Sequence, residues 1–121
     1  MEVKATHRYA KISPRKARLV VDLIRGASVD EAFNTLKLTR KRASSMVSKL
    51  LQSAVASAGE RHDIEPDELI VARAWVDGGP MRKTWWARPR GMAAIKRHRT
   101  SHINLVLATQ EEETQEEEEA S

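Results

Sequence analysis

From Gly78 to His102 the chain carries seven Lys/Arg residues and not one Asp or Glu. The cations are Arg82, Lys83, Arg88, Arg90, Lys96, Arg97 and Arg99, and two adjacent tryptophans, Trp85 and Trp86, stand among them. Such a segment cannot enter a core, because each unpaired cation removed from water costs on the order of several kcal/mol. Strand-like runs bound it on both sides, Leu69 to Val76 and Ile103 to Ala108. The pattern predicts the outer part of a β-hairpin whose natural surroundings are polyanionic, and the rest of the chain reads as the platform that holds it.

The charge of the whole chain points the same way once it is divided. The net +4 combines a body with a tail: residues 1–110 hold all 21 Lys/Arg against ten Asp/Glu, and residues 111–121 hold seven Glu and no base. The body therefore stands at +11 and the tail at −7. A body that basic suits phosphate as a partner. At 121 residues one domain with one modest core is expected over 1–110, followed by an acidic, disordered tail over 111–121. With no cysteine, disulfides and thiolate zinc sites are unavailable, which suits a reducing cytoplasm. No apolar run approaches the ~20 residues needed to span a bilayer, so no membrane association is expected. The start, Met1-Glu2-Val3-Lys4, also lacks the apolar block of a signal peptide.

Along the chain, residues 3–12 interleave bases such as Arg8 with apolar and β-favouring residues and predict an edge strand. Ser13-Pro14 reads as an N-cap followed by proline at the first helical position. Ala17, Val20, Val21 and Ile24 then form the buried stripe of a helix that Gly26 stops, decorated by Arg15, Lys16, Arg18 and Arg25. Ser28, with Glu31 three residues on, predicts a capping box for a second helix that buries Val29, Ala32, Phe33 and Leu36. Thr39 is the expected cap of a third helix. Its stripe is Ala43, Met46, Val47, Leu50, Leu51, Ala54, Val55 and Ala58, and it runs about 28 Å to Gly59. Arg40, Lys41 and Arg42 fall at the start of that helix, where the dipole disfavours cations, so a phosphate between them and the helix end is expected. After a polar loop, Ile70, Ala72, Ala74 and Val76 alternate as the inward face of a strand, and Ile103, Leu105 and Leu107 match on the returning strand. The expected fold is α+β: three helices packed on one face of a three-stranded antiparallel sheet, with a long protruding β-hairpin over about 78–102.

Pairing of 69–85 with 92–108 places the turn near Ala87 to Gly91. A two-stranded ribbon is not stable alone in water, so a partner must lie along it. Guanidinium groups fork onto phosphate oxygens, and indoles offer faces to unpaired bases. On that basis Arg82, Lys83, Trp85, Trp86, Arg88, Arg90, Lys96, Arg97 and Arg99 are candidate RNA contacts, as are Arg8, Arg40 and Lys41 on the body. Trp75, nearer the body, reads as structural. A basic ribbon can also enter a DNA groove, so an architectural DNA-binding protein is the alternative. Enzymatic readings find no support. His98 and His102 stand four apart on a strand without a carboxylate partner, and Ser101-His102 lacks a nucleophile elbow. No phosphate-cradling glycine loop is present, and neither a cofactor nor a metal is expected.

The order of these parts resembles the bacterial large-subunit ribosomal protein twenty-two family. Residues 13–20 (Ser13-Pro14-Arg15-Lys16-Ala17-Arg18-Leu19-Val20) with Asp22-Leu23-Ile24-Arg25-Gly26 look like its first-helix signature. Val76-Asp77-Gly78-Gly79-Pro80 and Arg99-Thr100-Ser101-His102-Ile103 look like its hairpin flanks, and the likeness covers 1–109. The resemblance implies a cytoplasmic, ribosomal, non-enzymatic protein, not a homo-oligomer, that binds large-subunit ribosomal RNA beside other large-subunit proteins and supports assembly. It implies that the hairpin tip lines the nascent-peptide exit tunnel near the macrolide site, in contact with the nascent peptide. By position, Ser13, Arg15, Lys16 and Arg18 would be body contacts with RNA. Lys83, Arg88, Arg90 and Gly91 would belong to the ribbon and tip, and Arg99, Thr100, Ser101 and His102 to its returning base. The tunnel tip would comprise Arg88, Pro89, Arg90, Gly91 and Met92. The tip departs from the family's usual Pro-Arg-Ala and Gly-Arg-Ala stretches, showing Ala87-Arg88-Pro89 and Gly91-Met92-Ala93 instead.

Overall fold

Backbone capping and the periodicity of apolar residues account for most of the elements in the computed structural model, which describes residues 2–109 and Glu118. The acidic tail expected over 111–121 lies, apart from Glu118, outside the described residues. β1 (Glu2–Ala10) leads into α1 (Pro14–Ile24), whose N-cap Ser13 accepts through Oγ from the Lys16 amide. All four stripe residues of α1 are buried. Gly26, at φ 81°, takes the left-handed turn that ends the helix and that a Cβ would resist. In α2 (Val29–Leu38), Ser28 Oγ accepts from the Glu31 amide, and Val29, Ala32 and Leu36 are buried while Phe33 is half-buried.

α3 (Arg42–His62) is longer than expected: 21 residues, about 31 Å. It passes through Gly59 and ends where Asp63 adopts a left-handed conformation. Nor does Thr39 cap it. Thr39 closes α2, its hydroxyl donating to the Thr35 carbonyl at 2.7 Å, and the N-cap of α3 is Lys41, which makes no side-chain cap bond. The local signal at Thr39 was real, but α2 took it, because a hydroxyl can back-bond one turn within its own helix.

β2 (Leu69–Gly78) and β5 (Ser101–Thr109) complete a sheet of order β1-β5-β2, antiparallel throughout, with α1, α2 and α3 packed against its core face. The alternation expected for β2 is broken. Leu69 and Val71 face the core, then a bulge at Ala72 shifts the register, and Ala74 and Val76 face it thereafter. Just there the far edge of β2 binds the α1–α2 link, with Gly26 N donating to Val71 O and Val71 N to Ala27 O, both at 2.9 Å. A strand held from both sides by partners of different geometry takes up the mismatch with one extra residue. Two arginines, Arg18 in α1 and Arg25 at its C-cap, latch the same strand: Arg18 donates to the Val76 carbonyl at 2.9 Å, and Arg25 donates twice to that of Ala74. On the opposite sheet face Asp77 accepts from Trp75 Nε1 and Asn104 Nδ2, so Trp75 is structural as expected.

The hairpin is not one continuous ladder. β3 (Arg82–Ala87) and β4 (Ala93–His98) form a separate two-stranded sheet, so the five strands among the described residues lie in two sheets. Pro80 has no N–H to donate and interrupts pairing at the root. The gap is bridged by Gly79 N to Thr100 O at 2.9 Å and Thr100 Oγ1 to Pro80 O at 2.6 Å. A Cβ on Gly79 would stand 2.5 Å from Thr100 Oγ1, so the crossing needs glycine. The turn falls at 88–92, as the spacing requires. Arg88 N donates to Met92 O at 2.7 Å, and Arg90 (φ 65°) and Gly91 (φ 71°) are consecutive left-handed residues.

Candidate nucleic-acid interface

Between the body and the root of the hairpin lies a cleft of about 760 Å³. The end of β1 and start of α1 contribute Lys11, Ser13 and Lys16. The N-terminus of α3 contributes Lys41 and Arg42, and the hairpin root contributes Arg82, His98, Arg99 and Thr100. Among the described residues no carboxylate lines it. Six cations from three elements thus face one space. The α3 N-terminus opens onto it without a side-chain cap and without an acid in its first turn, which adds the positive end of the helix dipole.

Of the residues expected to bind RNA, the structure gathers Ser13, Lys16, Lys41, Arg82, Arg99 and Thr100 at this cleft. Arg8, Arg15 and Arg40 are exposed elsewhere on the body. Three others are engaged within the chain. Arg18 latches β2. Ser101 is fully buried and donates its hydroxyl to the Ile12 carbonyl at 2.5 Å. His102 accepts the Tyr9 amide on Nδ1, where β1 bulges with Tyr9 at φ 58°, and packs edge-on against the Tyr9 ring. Their side chains hold the hairpin root to β1 and α1, so any part they take in binding is one of positioning. Arg42, expected with Lys41 to meet a phosphate at the start of α3, also lines the cleft, whereas Lys11 and His98 line it without being among the expected contacts. Lys11 stands two residues before the Ser13 cap, and that nearness to a helix start is the signal the sequence offers.

Beyond the cleft the ribbon reaches roughly 20 Å further, at ~3.3 Å per residue. Its cations Arg82, Lys83, Arg88, Arg90, Lys96, Arg97 and Arg99 are all exposed. Among the described residues none of them is paired with a carboxylate; the ion pairs are Arg25–Asp22 and Arg73–Glu2. Strand alternation divides the ribbon. Arg82, Thr84, Trp86, Lys96 and His98 share one face, with Thr84 Oγ1 and His98 Nε2 3.1 Å apart. Lys83, Trp85, Ile95 and Arg97 share the other. Pro89, Arg90, Gly91 and Met92 are exposed at the apex. Among the described residues no cluster of His, Cys, Asp or Glu could hold a metal ion, and no helix is long and apolar enough to cross a membrane.

Comparison with known proteins matches these features to one group. A family model described as ribosomal protein L22p/L17e matches residues 5–108. The large ribosomal subunit protein uL22 of Thermus thermophilus is 53% identical over 107 residues, 88% of this chain and 95% of its own length. The uL22 of Halothermothrix orenii is 47% identical over 112 residues, 93% of this chain and 99% of its own. That of Thermoanaerobacter sp. is 50% identical over 111 residues, 92% and 100% respectively.

Proposed function

Because the chain belongs to the ribosomal protein L22p/L17e family, a family of structural rather than enzymatic proteins, we propose that it is a structural constituent of the large ribosomal subunit in the cytoplasm. It binds large-subunit ribosomal RNA and supports assembly, with its body beside neighbouring large-subunit proteins and its hairpin passing through the RNA. The tip, Arg88 to Met92, lines the nascent-peptide exit tunnel and meets the nascent peptide. One copy acts per subunit, not as a homo-oligomer.

The observation that carries this reading is the cleft at the hairpin root. Six cations held near α1, α3 and the ribbon root repel one another across one space that no carboxylate among the described residues lines. A phosphodiester strand in that space converts repulsion into attraction and releases condensed counterions. It also ties the hairpin to the body, since Arg82 and Arg99 stand on one side and Lys16 and Arg42 on the other. Ribbon cations continue the same track outward.

The reading is tested by cosedimentation with large subunits through a high-salt wash, and by competition between large-subunit RNA fragments and duplex DNA at matched salt. Retention on the subunit, with duplex DNA competing poorly, is expected. Loss in the wash, or equal competition by duplex DNA, would replace this reading with an architectural DNA-binding one.

A further inference from the structure

Trp85 and Trp86 are neighbours in sequence but have different surroundings. The Trp86 ring carries the Arg88 guanidinium 4.9 Å from its centroid and the Lys96 ammonium at 4.8 Å, so its faces are occupied by the chain's own cations. Among the described residues no cation stacks on Trp85, which is 77% exposed. Directly opposite it in register is Ile95, 42% exposed, and two residues toward the root on the same face Lys83 stands opposite Arg97. Like charges directly opposed across two strands destabilise a ribbon, and a bare indole gains nothing from water. One kind of occupant removes both costs: a flat, largely apolar group joined to an anion.

Resting on the RNA-binding reading above, we propose that Trp85 is the stacking platform for one unpaired nucleobase, with Lys83 and Arg97 holding the adjoining phosphate. Lys83 and Trp85 lie two residues apart on one face, roughly 6.6 Å, a span that fits a base and the phosphate of its own nucleotide. Trp86 has the different task of positioning Arg88 and Lys96. An apolar protein surface is the less suitable occupant, because covering Trp85 and Ile95 with it would also bury Lys83 and Arg97 without a counter-charge, and no acid exists anywhere in 78–102.

The test uses the full chain and two probes of equal length, a single-stranded oligoadenylate and an abasic ribose-phosphate oligomer. The wild-type chain is expected to prefer the oligoadenylate by about five- to a hundredfold, the range of one base–aromatic stack. Trp85→Ala should abolish that preference, while Trp85→Phe and Trp86→Ala keep most of it. Tryptophan emission should be quenched by the oligoadenylate in the wild type and in Trp86→Ala. The proposal is overturned if Trp85→Ala binds oligoadenylate within about twofold of wild type, or loses affinity equally for both probes. It is equally overturned if Trp85→Ala impairs entry into large subunits with oligoadenylate binding unchanged, which would assign the indole to a protein surface. A wild-type chain that binds no large-subunit RNA at all would instead remove the functional reading itself.

Discussion

Replacing both Arg82 and Arg99 with Gln at the hairpin root is a direct measure of the cleft. These side chains are exposed and form no ion pair among the described residues, so their removal should change folding stability by no more than about 0.5 kcal/mol. Binding is another matter. The cleft presents six Lys/Arg side chains, and the double variant leaves four. Each phosphate neutralised contributes roughly 0.7 to 0.9 to the slope of log K against log salt. Loss of two contacts should therefore make that slope shallower by about 1.4 to 1.8. Between about 50 and 200 mM salt the affinity of the wild type would then fall roughly tenfold more than that of the variant. The assay is filter binding or anisotropy with a large-subunit RNA fragment over a salt series. Arg61→Gln with Arg73→Gln is the control, removing the same charge from the end of α3 and from the outer sheet face. If the control flattens the slope as much as the cleft variant, net charge alone governs binding and the cleft has no special part.

Three further outcomes follow from the fold. Ser101→Ala leaves the buried Ile12 carbonyl without its donor and should cost about 1–3 kcal/mol in a urea melt, whereas Thr100→Ala, at an exposed bond, should cost less. Gly79→Ala places a Cβ 2.5 Å from Thr100 Oγ1 and 3.3 Å from the His102 ring, so it should open the hairpin root and speed tryptic cleavage at Arg82 and Arg99 while the body still melts cooperatively. Amide exchange in the free protein should be fast across β3 and β4 and slow across Ile103 to Leu107, because the ribbon has no packed face and β5 is the central strand; equal protection of both would contradict the two-sheet description.

Much of the fold was legible because its determinants are local. Ser13-Pro14 and Ser28 announce helix starts through hydroxyls that accept nearby amides, and Gly26 ends α1 through its φ. The stripes of α1 and α3 follow the helical period since one face meets the sheet. The position of the hairpin turn followed from matching two flanking runs, and register does the rest. What went unread depended on competition between segments. Thr39 could cap the helix after it or close the helix before it, and its hydroxyl bonds back one turn to Thr35, a choice that the residue type alone does not rank. The bulge at Ala72 appears because β2 is gripped from both edges, which no periodicity in 69–78 reveals.

Candidate contacts divide along the same line. That this chain carries an exposed cationic finger was determined by the sequence alone, since seven charges without an acid have nowhere to go but solvent or a polyanion. Which cations converge, and which are spent internally, was decided by tertiary structure. Lys11, Lys16, Lys41, Arg42, Arg82 and Arg99 meet because α1, α3 and the ribbon root converge at one corner of the sheet. Ser101 and His102 sit one and two residues after Thr100, yet both are engaged within the chain, Ser101 buried against Ile12 and His102 half-buried on the other face against Tyr9. Charge is a property each residue brings with it, whereas convergence and burial belong to pairs of segments far apart in the chain, and they exist only once the chain has folded.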